Sequence, residues 1–367
     1  MRTSVEQSLS MQAVALAAAV IAVPKAVTAN SFVLHSPLEL MARVGLLPSV
    51  APGRLDEAIG MIDGLAARYA AAGDPVTVPA PVGFRSAQHG ARMLVDAIGN
   101  GDVDFVDAIA GALLPTLSAH EAAGLLGESV VTSLAAAGHA PIGFALLARV
   151  QSKLPVDLLR GAVRSLTMRP EWQIRWHLGD DSPGDAARLY AALRETPRLG
   201  CPGDGFIHPI MSQVQDAGIA ARLLTPVLCD RYDVVAASRT LTRVAAWSML
   251  HDDPAASPYG WTHAFTMPQA VMALAGAGVH PRTALAVAGT FMVGFRAAHG
   301  LVDLPEVIEP GAAPDATVEE LATAGALHDD AHVAKFTLAC LHAVVDDPTF
   351  RPLYLGAVDH LLRWWQG

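Results

Sequence analysis

The chain is written as alanine- and leucine-rich segments with apolar residues at helical spacing, cut apart by glycine- and proline-bearing turns. β-Branched alternation over four or more residues is scarce. That pattern buries one stripe of each segment every 3.6 residues and gives a sheet nothing to pair. Helical spacing begins at residues 11–23 and 38–46 and continues at 55–71, 103–114 and 117–137. It returns at 141–151, 184–195, 209–224, 235–250, 267–277, 281–298, 317–325, 331–345 and 352–365. Gly99-Asn100-Gly101, Asp180–Gly184, Pro202-Gly203-Asp204-Gly205 and Asp252–Pro258 supply the turns. One extended piece, VTVPAPV at 76–82, carries two prolines and cannot be a central strand. The fold class read from this is all-α, as one multi-helix domain or two packed helical lobes. A boundary between such lobes is expected near 196–206, where Pro197, Gly200, Pro202, Gly203 and Gly205 cluster. No period of 20–50 residues recurs, so a solenoid is not expected.

At 52% hydrophobic and 16% charged residues, the 367-residue chain can bury a large core and is the opposite of a disordered polypeptide. A net charge of −10 gives no overall basic surface to displace counterions from nucleic acid. Three cysteines, Cys201, Cys229 and Cys340, are too few and too scattered for a disulfide framework or a thiolate cluster. A reducing, cytoplasmic location is expected. The apolar run at 11–23 is shorter than the ~20 residues needed to span a bilayer. Val27-Thr28-Ala29 could pass for a leader cleavage site, but Glu6, Pro24 and Lys25 fit an ordinary first helix better. Residues 1–30 are therefore read as an N-terminal apolar helix and 31–367 as the main helical body. The adjacent Trp364 and Trp365 on a terminal helix suit docking onto the chain's own core or onto a partner chain.

The fourteen histidines are where chemistry is concentrated. Asp329 and Asp330 are good N-cap residues for the run AHVAKFTLACLHAVV, which puts His332 and Lys335 on one face at i and i+3. His342 continues that face. Either Lys335 extends to solvent and His332 bonds near the helix start, or both are metal ligands or acid/base groups with the amine held neutral by burial. His263, in Trp261-Thr262-His263, precedes the apolar run at 267–277, and His35 precedes Ser36-Pro37. Taken singly, each reads as an ordinary cap or core histidine. Together, three distant histidines at helix heads are the way a helical bundle assembles a metal site between its helix N-terminal ends. Other chemistries lack their signatures. There is no dinucleotide fingerprint, no phosphate-binding GxxxxGK[ST] loop and no Gly-x-Ser-x-Gly elbow, and His120-Glu121 has no second histidine four residues on. His251-Asp252-Asp253 reads as a helix end and solvated loop, and His208 as a helix start.

Three blocks in this order resemble the questin oxidase family: HSPLELMARVG at 35–45, WTHAFTMPQAVMAL at 261–274 and DDAHVAKFTLACL at 329–341. The resemblance spans about residues 31–350, and the His-Val-x-Lys of the last block is its most specific element. It implies an oxidoreductase that uses dioxygen to oxidise or cleave an anthraquinone-like aromatic polyketide. It also implies a nonheme iron (Fe2+) held by histidines and a carboxylated lysine, with His35, His263 and His332 as imidazole ligands and Lys335 as the carbamate. The expected partners are thus an aromatic small molecule and dioxygen, with neither nucleic acid nor membrane, and a homo-oligomer is compatible. NADPH is compatible with such a reaction, although no motif for it is present. The chain departs from the family in the helix after Leu113-Leu114-Pro115, where a further histidine is expected and Ala123 or Glu128 stands; His120 or the Glu128 carboxylate would have to substitute. A lost ligand would instead leave a non-catalytic small-molecule binding protein, and the same donors holding zinc would suit a metal-dependent hydrolase.

Overall fold

A computed structural model describes residues 4–26, 30–77, 79–150, 155–179, 182–203 and 207–366. Among them are seventeen α-helices and no strand, only two isolated bridges. The first seven are α1 (Ser4–Ile21), α2 (Ser31–Leu46), α3 (Leu55–Ala71), α4 (Ala87–Gly99), α5 (Val103–Leu113), α6 (Ala119–Thr132) and α7 (Ala140–Val150). Next come α8 (Arg160–Leu166), α9 (Leu189–Arg194), α10 (Ile207–Asp216), α11 (Ile219–Leu224) and α12 (Val234–His251). The last five are α13 (Thr262–Ala275), α14 (Pro281–His299), α15 (Val318–Leu327), α16 (Ala331–Asp346) and α17 (Arg351–Trp364). The all-α reading holds. Helices α4 and α8 were not foreseen, and no helix among the described residues is long and apolar enough to cross a membrane.

The centre of the molecule is α13. Every residue from Thr262 to Met272 is buried, because α7, α12, α14 and α16 surround it. A helix apolar all round has no other stable place than inside. Helix α2 lies against α3, α7 and α16, and α1 docks on α3 and α2 with Ala13, Ala17 and Ile21 buried. The cleavage-like Val27-Thr28-Ala29 lies outside the described residues, as do Asp180, Asp181 and Asp204–Phe206 in the expected turns. Within the glycine-rich 196–206 stretch, the amides of Leu199 and Gly200 both donate to the Ala297 carbonyl of α14.

Several local expectations are corrected. The helix carrying His35 starts at Ser31, capped by the Asn30 side chain, and runs through Pro37; His35 sits inside it, not before a Ser36 cap. Helix α13 likewise begins five residues earlier than the apolar run suggests and passes through Pro268. In both cases tertiary burial outweighs the single backbone hydrogen bond that proline removes. The segment after Thr132 leaves the helical path and pairs with 172–174: Leu134 donates to the Trp172 carbonyl and Ile174 to that of Thr132. Finally, Asp252 is not in a solvated loop. It is buried, ion-paired with Arg296, and accepts the Leu301 and Val302 amides.

Candidate metal centre

Four imidazoles meet where α2, α7, α13 and α16 begin. His35 lies in the second turn of α2, His139 immediately precedes α7, and His263 and His332 lie in the first turns of α13 and α16. Their rings form a closed square, with neighbouring centroids 4.7 Å (His35–His139), 5.1 Å (His139–His263), 4.9 Å (His263–His332) and 4.7 Å (His332–His35) apart. One ligand atom from each lies within 4.8 Å of every other.

The orientation of each ring is fixed by an oxygen at its outer nitrogen. His35 Nδ1 is 2.7 Å from the Ser31 carbonyl, and His139 Nδ1 is 3.0 Å from that of Ala136. His263 Nδ1 contacts the Tyr259 carbonyl, and His332 Nδ1 is 3.0 Å from Asp330 Oδ1. Carbonyls and carboxylates only accept, so each Nδ1 carries the proton and each Nε2 is left with a bare lone pair. All four lone pairs point inward. His139 and His263 Nε2 stand 3.2 Å apart, and His35 and His332 Nε2 are buried without a hydrogen-bond partner among the described residues. Burial is the main force holding the rings neutral: His35 is pushed down to about 3 and His332 to about 4, with Lys335 adding to both shifts. His139 and His263 also titrate well below the ordinary imidazole range, for the same leading reason.

Two devices in the chain build this geometry. Residues 257–261 form a π-helical turn ahead of α13, which places the Tyr259 carbonyl under His263. Single π-turns of this kind re-aim side chains at functional sites. Ahead of α7, Ala136 (φ 49°), Ala137 (φ 54°) and Gly138 (φ 65°) are consecutively left-handed. Each alanine in that region costs roughly 1–2 kcal/mol. Their effect is to bring the Ala136 carbonyl under both the backbone amide and Nδ1 of His139. Glycine at 138 suits this left-handed backbone, and a Cβ there would also displace the Met267 methyl, 2.5 Å away.

Lys335 lies one turn below His332. Its amine is buried and has no hydrogen-bond partner, and burial lowers it to about 7 against the opposing pull of Asp330 and Glu39. It therefore does not reach solvent, and it forms no ion pair among the described residues. Glu39 is occupied by Arg43, which it meets at 2.5 Å, and Arg43 also donates to the carbonyls of Ala326 and His328.

Of the residues expected from sequence, His35, His263, His332 and Lys335 all come together here. The fourth imidazole does not come from α6. His120 is exposed on that helix, Ala123 is in the core, and the Glu128 carboxylate accepts the His280 amide. His139 takes the place instead, from the opposite end of the following segment. Read linearly, Gly138-His139-Ala140-Pro141 did carry a signal, a histidine between a chain-reversing glycine and a helix-starting proline. Reading 117–137 as one helix hid it. Three more residues at the site went unrecognised there: Asp330 as the partner of His332, and Tyr259 and His299 as cavity walls.

The imidazoles border a cavity of about 770 Å³. Phe32, Leu34, Ala137, Ile207 and Phe295 make most of its wall apolar, while Arg68, Asp329 and His299 add polar points. Its size is within the range that takes drug-sized ligands. The chain matches no model of a known protein family and no curated protein.

Proposed function

We propose that the chain is a metal-dependent oxidoreductase of the questin oxidase type, acting with dioxygen on an aromatic polyketide held in the 770 Å³ cavity. The observation that carries this reading is the convergence of four unprotonated Nε2 atoms with every Nδ1 anchored outward. Inward lone pairs at 3.2 Å repel one another unless a cation stands between them. Around an ion with bonds of about 2.0–2.1 Å, facing nitrogens lie about 4 Å apart and adjacent ones about 3 Å. The observed spread, up to 4.8 Å, accommodates such a shell with small ring movements. His35, His139, His263 and His332 would hold the metal.

Lys335 supplies the fifth donor as its carbamate. A neutral Nζ forms an N–C bond to carbon dioxide, one C–O π pair moves onto oxygen, and the N–H proton leaves to water. The product is an anionic oxygen ligand. Its charge is favourable where four helices start, since their N-terminal ends are positive and would otherwise oppose a cation. Mixed imidazole and hard oxygen donors suit iron. When bound, a ferrous ion supplies the redox-active centre for dioxygen chemistry. The chain's own part is to keep the rings aimed, to hold the aromatic against Phe32 and Phe295, and to limit water around the reacting face.

Donor number separates this from hydrolysis. Catalytic zinc keeps three protein ligands and an open position, whereas four imidazoles already fill a tetrahedron. The non-catalytic binder rested on a lost ligand, and His139 supplies a fourth imidazole. The test is metal analysis of protein purified without an affinity tag, beside His139→Ala. Iron stoichiometric with the chain and lost in the variant, with oxygen uptake on adding a hydroxyanthraquinone, is the expected result. Failure to retain iron after anaerobic loading would overturn the metal reading, and iron without oxygen uptake would make the protein a binder.

A further inference from the structure

Helices α7, α13 and α16 start at the metal centre and run away from it with a narrow seam between them. Its walls recur every three to four residues along each helix. They are Ile142, Ala145, Leu146 and Arg149 on α7; Thr266, Gln269 and Ala270 on α13; and Lys335, Ala339 and His342 on α16. The void in this seam measures about 30 Å³. Further along the same helices a groove of about 460 Å³ takes over, walled by Met272, Ala273, Ala343 and Asp346 and closed on its far side by α12. Arg149 and Gln269 line both spaces, so the two are in series.

Lys335 lines the seam but not the 770 Å³ cavity, which the four histidines do line. Its amine is fully buried and unpartnered. At the inner end of the seam the Lys335 amine is the one side-chain donor left without a partner among the described residues, a single hold for water. Thr266 Oγ1 is committed to the Thr262 carbonyl and Gln269 Nε2 to that of Ala339, and the other inner walls are Ile142, Ala145, Ala270 and Ala339. A buried water needs about two to four polar partners, so a void of this size and lining favours a small apolar molecule over water. The ion-paired Arg149 and Asp346 stand at the outer end, 3.5 Å apart.

We propose that this seam is a gas conduit that brings carbon dioxide to Lys335 Nζ by a path separate from the substrate cavity. The inference rests on the carbamate assigned to Lys335 above and deepens it. A separate path lets the lysine be carboxylated whether or not an aromatic fills the front cavity. It also places the reacting carbon beside the amine without crossing the histidine square.

The experiment follows carbamate formation by 13C NMR after adding 13C-bicarbonate to the full chain loaded with Cd2+, a diamagnetic ion that accepts five or six donors. Ala270→Leu and the milder Ala145→Val fill the seam; Ala255→Phe, at the exposed mouth of the front cavity, is the control. The seam variants should slow the appearance of the carbamate signal by about tenfold or more while leaving its final extent unchanged, as a pure barrier does. The control should match the parent. A parallel crystal under xenon pressure should show xenon between Ala145, Ala270 and Ala339 in the parent and none with Ala270→Leu, which covers the case in which a seam variant folds poorly. Unchanged rates in both seam variants, or slowing by Ala255→Phe, would overturn the conduit while leaving the carbamate standing. A parent that forms no carbamate would overturn both.

Discussion

Replacing Lys335 by methionine should make the metal-free protein more stable while abolishing its metal retention. The amine is fully buried, without a partner, and titrates at about 7 where a free lysine titrates at 10.5. At pH 7 the unfolded chain carries this proton almost completely and the folded chain about half the time. At ~1.36 kcal/mol per pH step, that difference opposes folding by about 4 kcal/mol. Methionine has nearly the same length and no charge, so the substitution removes the opposing contribution without opening a large cavity. The sign is fixed by which state binds more protons. Between about 7 and 10.5 the unfolded state does, so the parent gains stability as pH rises through that window. The advantage of Lys335→Met is therefore largest at or below pH ~7 and shrinks to about 1.4 kcal/mol by pH ~9.5. Urea unfolding of chelator-stripped protein across this range reads it directly as a gap between midpoints that closes with pH. A variant no more stable than the parent at neutral pH, or a parent whose midpoint does not move with pH, would refute the buried neutral amine. Stability gained together with binding lost is the behaviour of a residue kept for function.

Asp330→Ala should weaken metal binding by about 10–100-fold in a competition titration, because His332 loses the acceptor that aims its Nε2. It also removes the N-cap of α16, for about 1 kcal/mol of stability. Asp252→Ala strands the buried Arg296 guanidinium and two backbone amides, and should lower unfolding stability by about 3–5 kcal/mol with metal content per folded chain unchanged. His177 is buried with neither ring nitrogen hydrogen-bonded among the described residues, and burial, helped by Arg282, lowers it to about 4. The unfolded state takes up the proton first as pH falls below ~6.5, so stability should drop by up to about 3 kcal/mol on acidification toward pH ~4. His177→Leu should flatten that part of the pH profile, and an unaltered slope would show that other groups produce it.

The legibility of the site differs from residue to residue for physical reasons. Asp330, His332 and Lys335 lie within six positions, and the i, i+3 geometry of one helix fixes their shared face whatever surrounds it. His35 and His263 could be placed at helix heads, but their helices start earlier than local propensity indicates, through Pro37 and Pro268. Proline's penalty is local, while the burial of α2 and α13 that outweighs it is a property of the whole assembly. The Gly138–Pro141 signal marks a helix start at His139, but not that its ring joins the other three, because its position depends on Ala136 and Ala137 adopting a left-handed backbone that alanine avoids in isolation. Only surrounding contacts impose that conformation: the pairing of 132–134 with 172–174, and Met267 pressed against Gly138.

The sequence by itself determined that this chain is helical, where most helices lie, and that its chemistry is concentrated in histidine, because 3.6-residue periodicity and turn residues act over a few positions at a time. Tertiary structure alone decided that four imidazoles from four helices face one another with their lone pairs inward, and that a lysine is sealed beneath them. Those facts depend on how α2, α7, α13 and α16 are set against each other, and such long-range packing leaves no period in the chain.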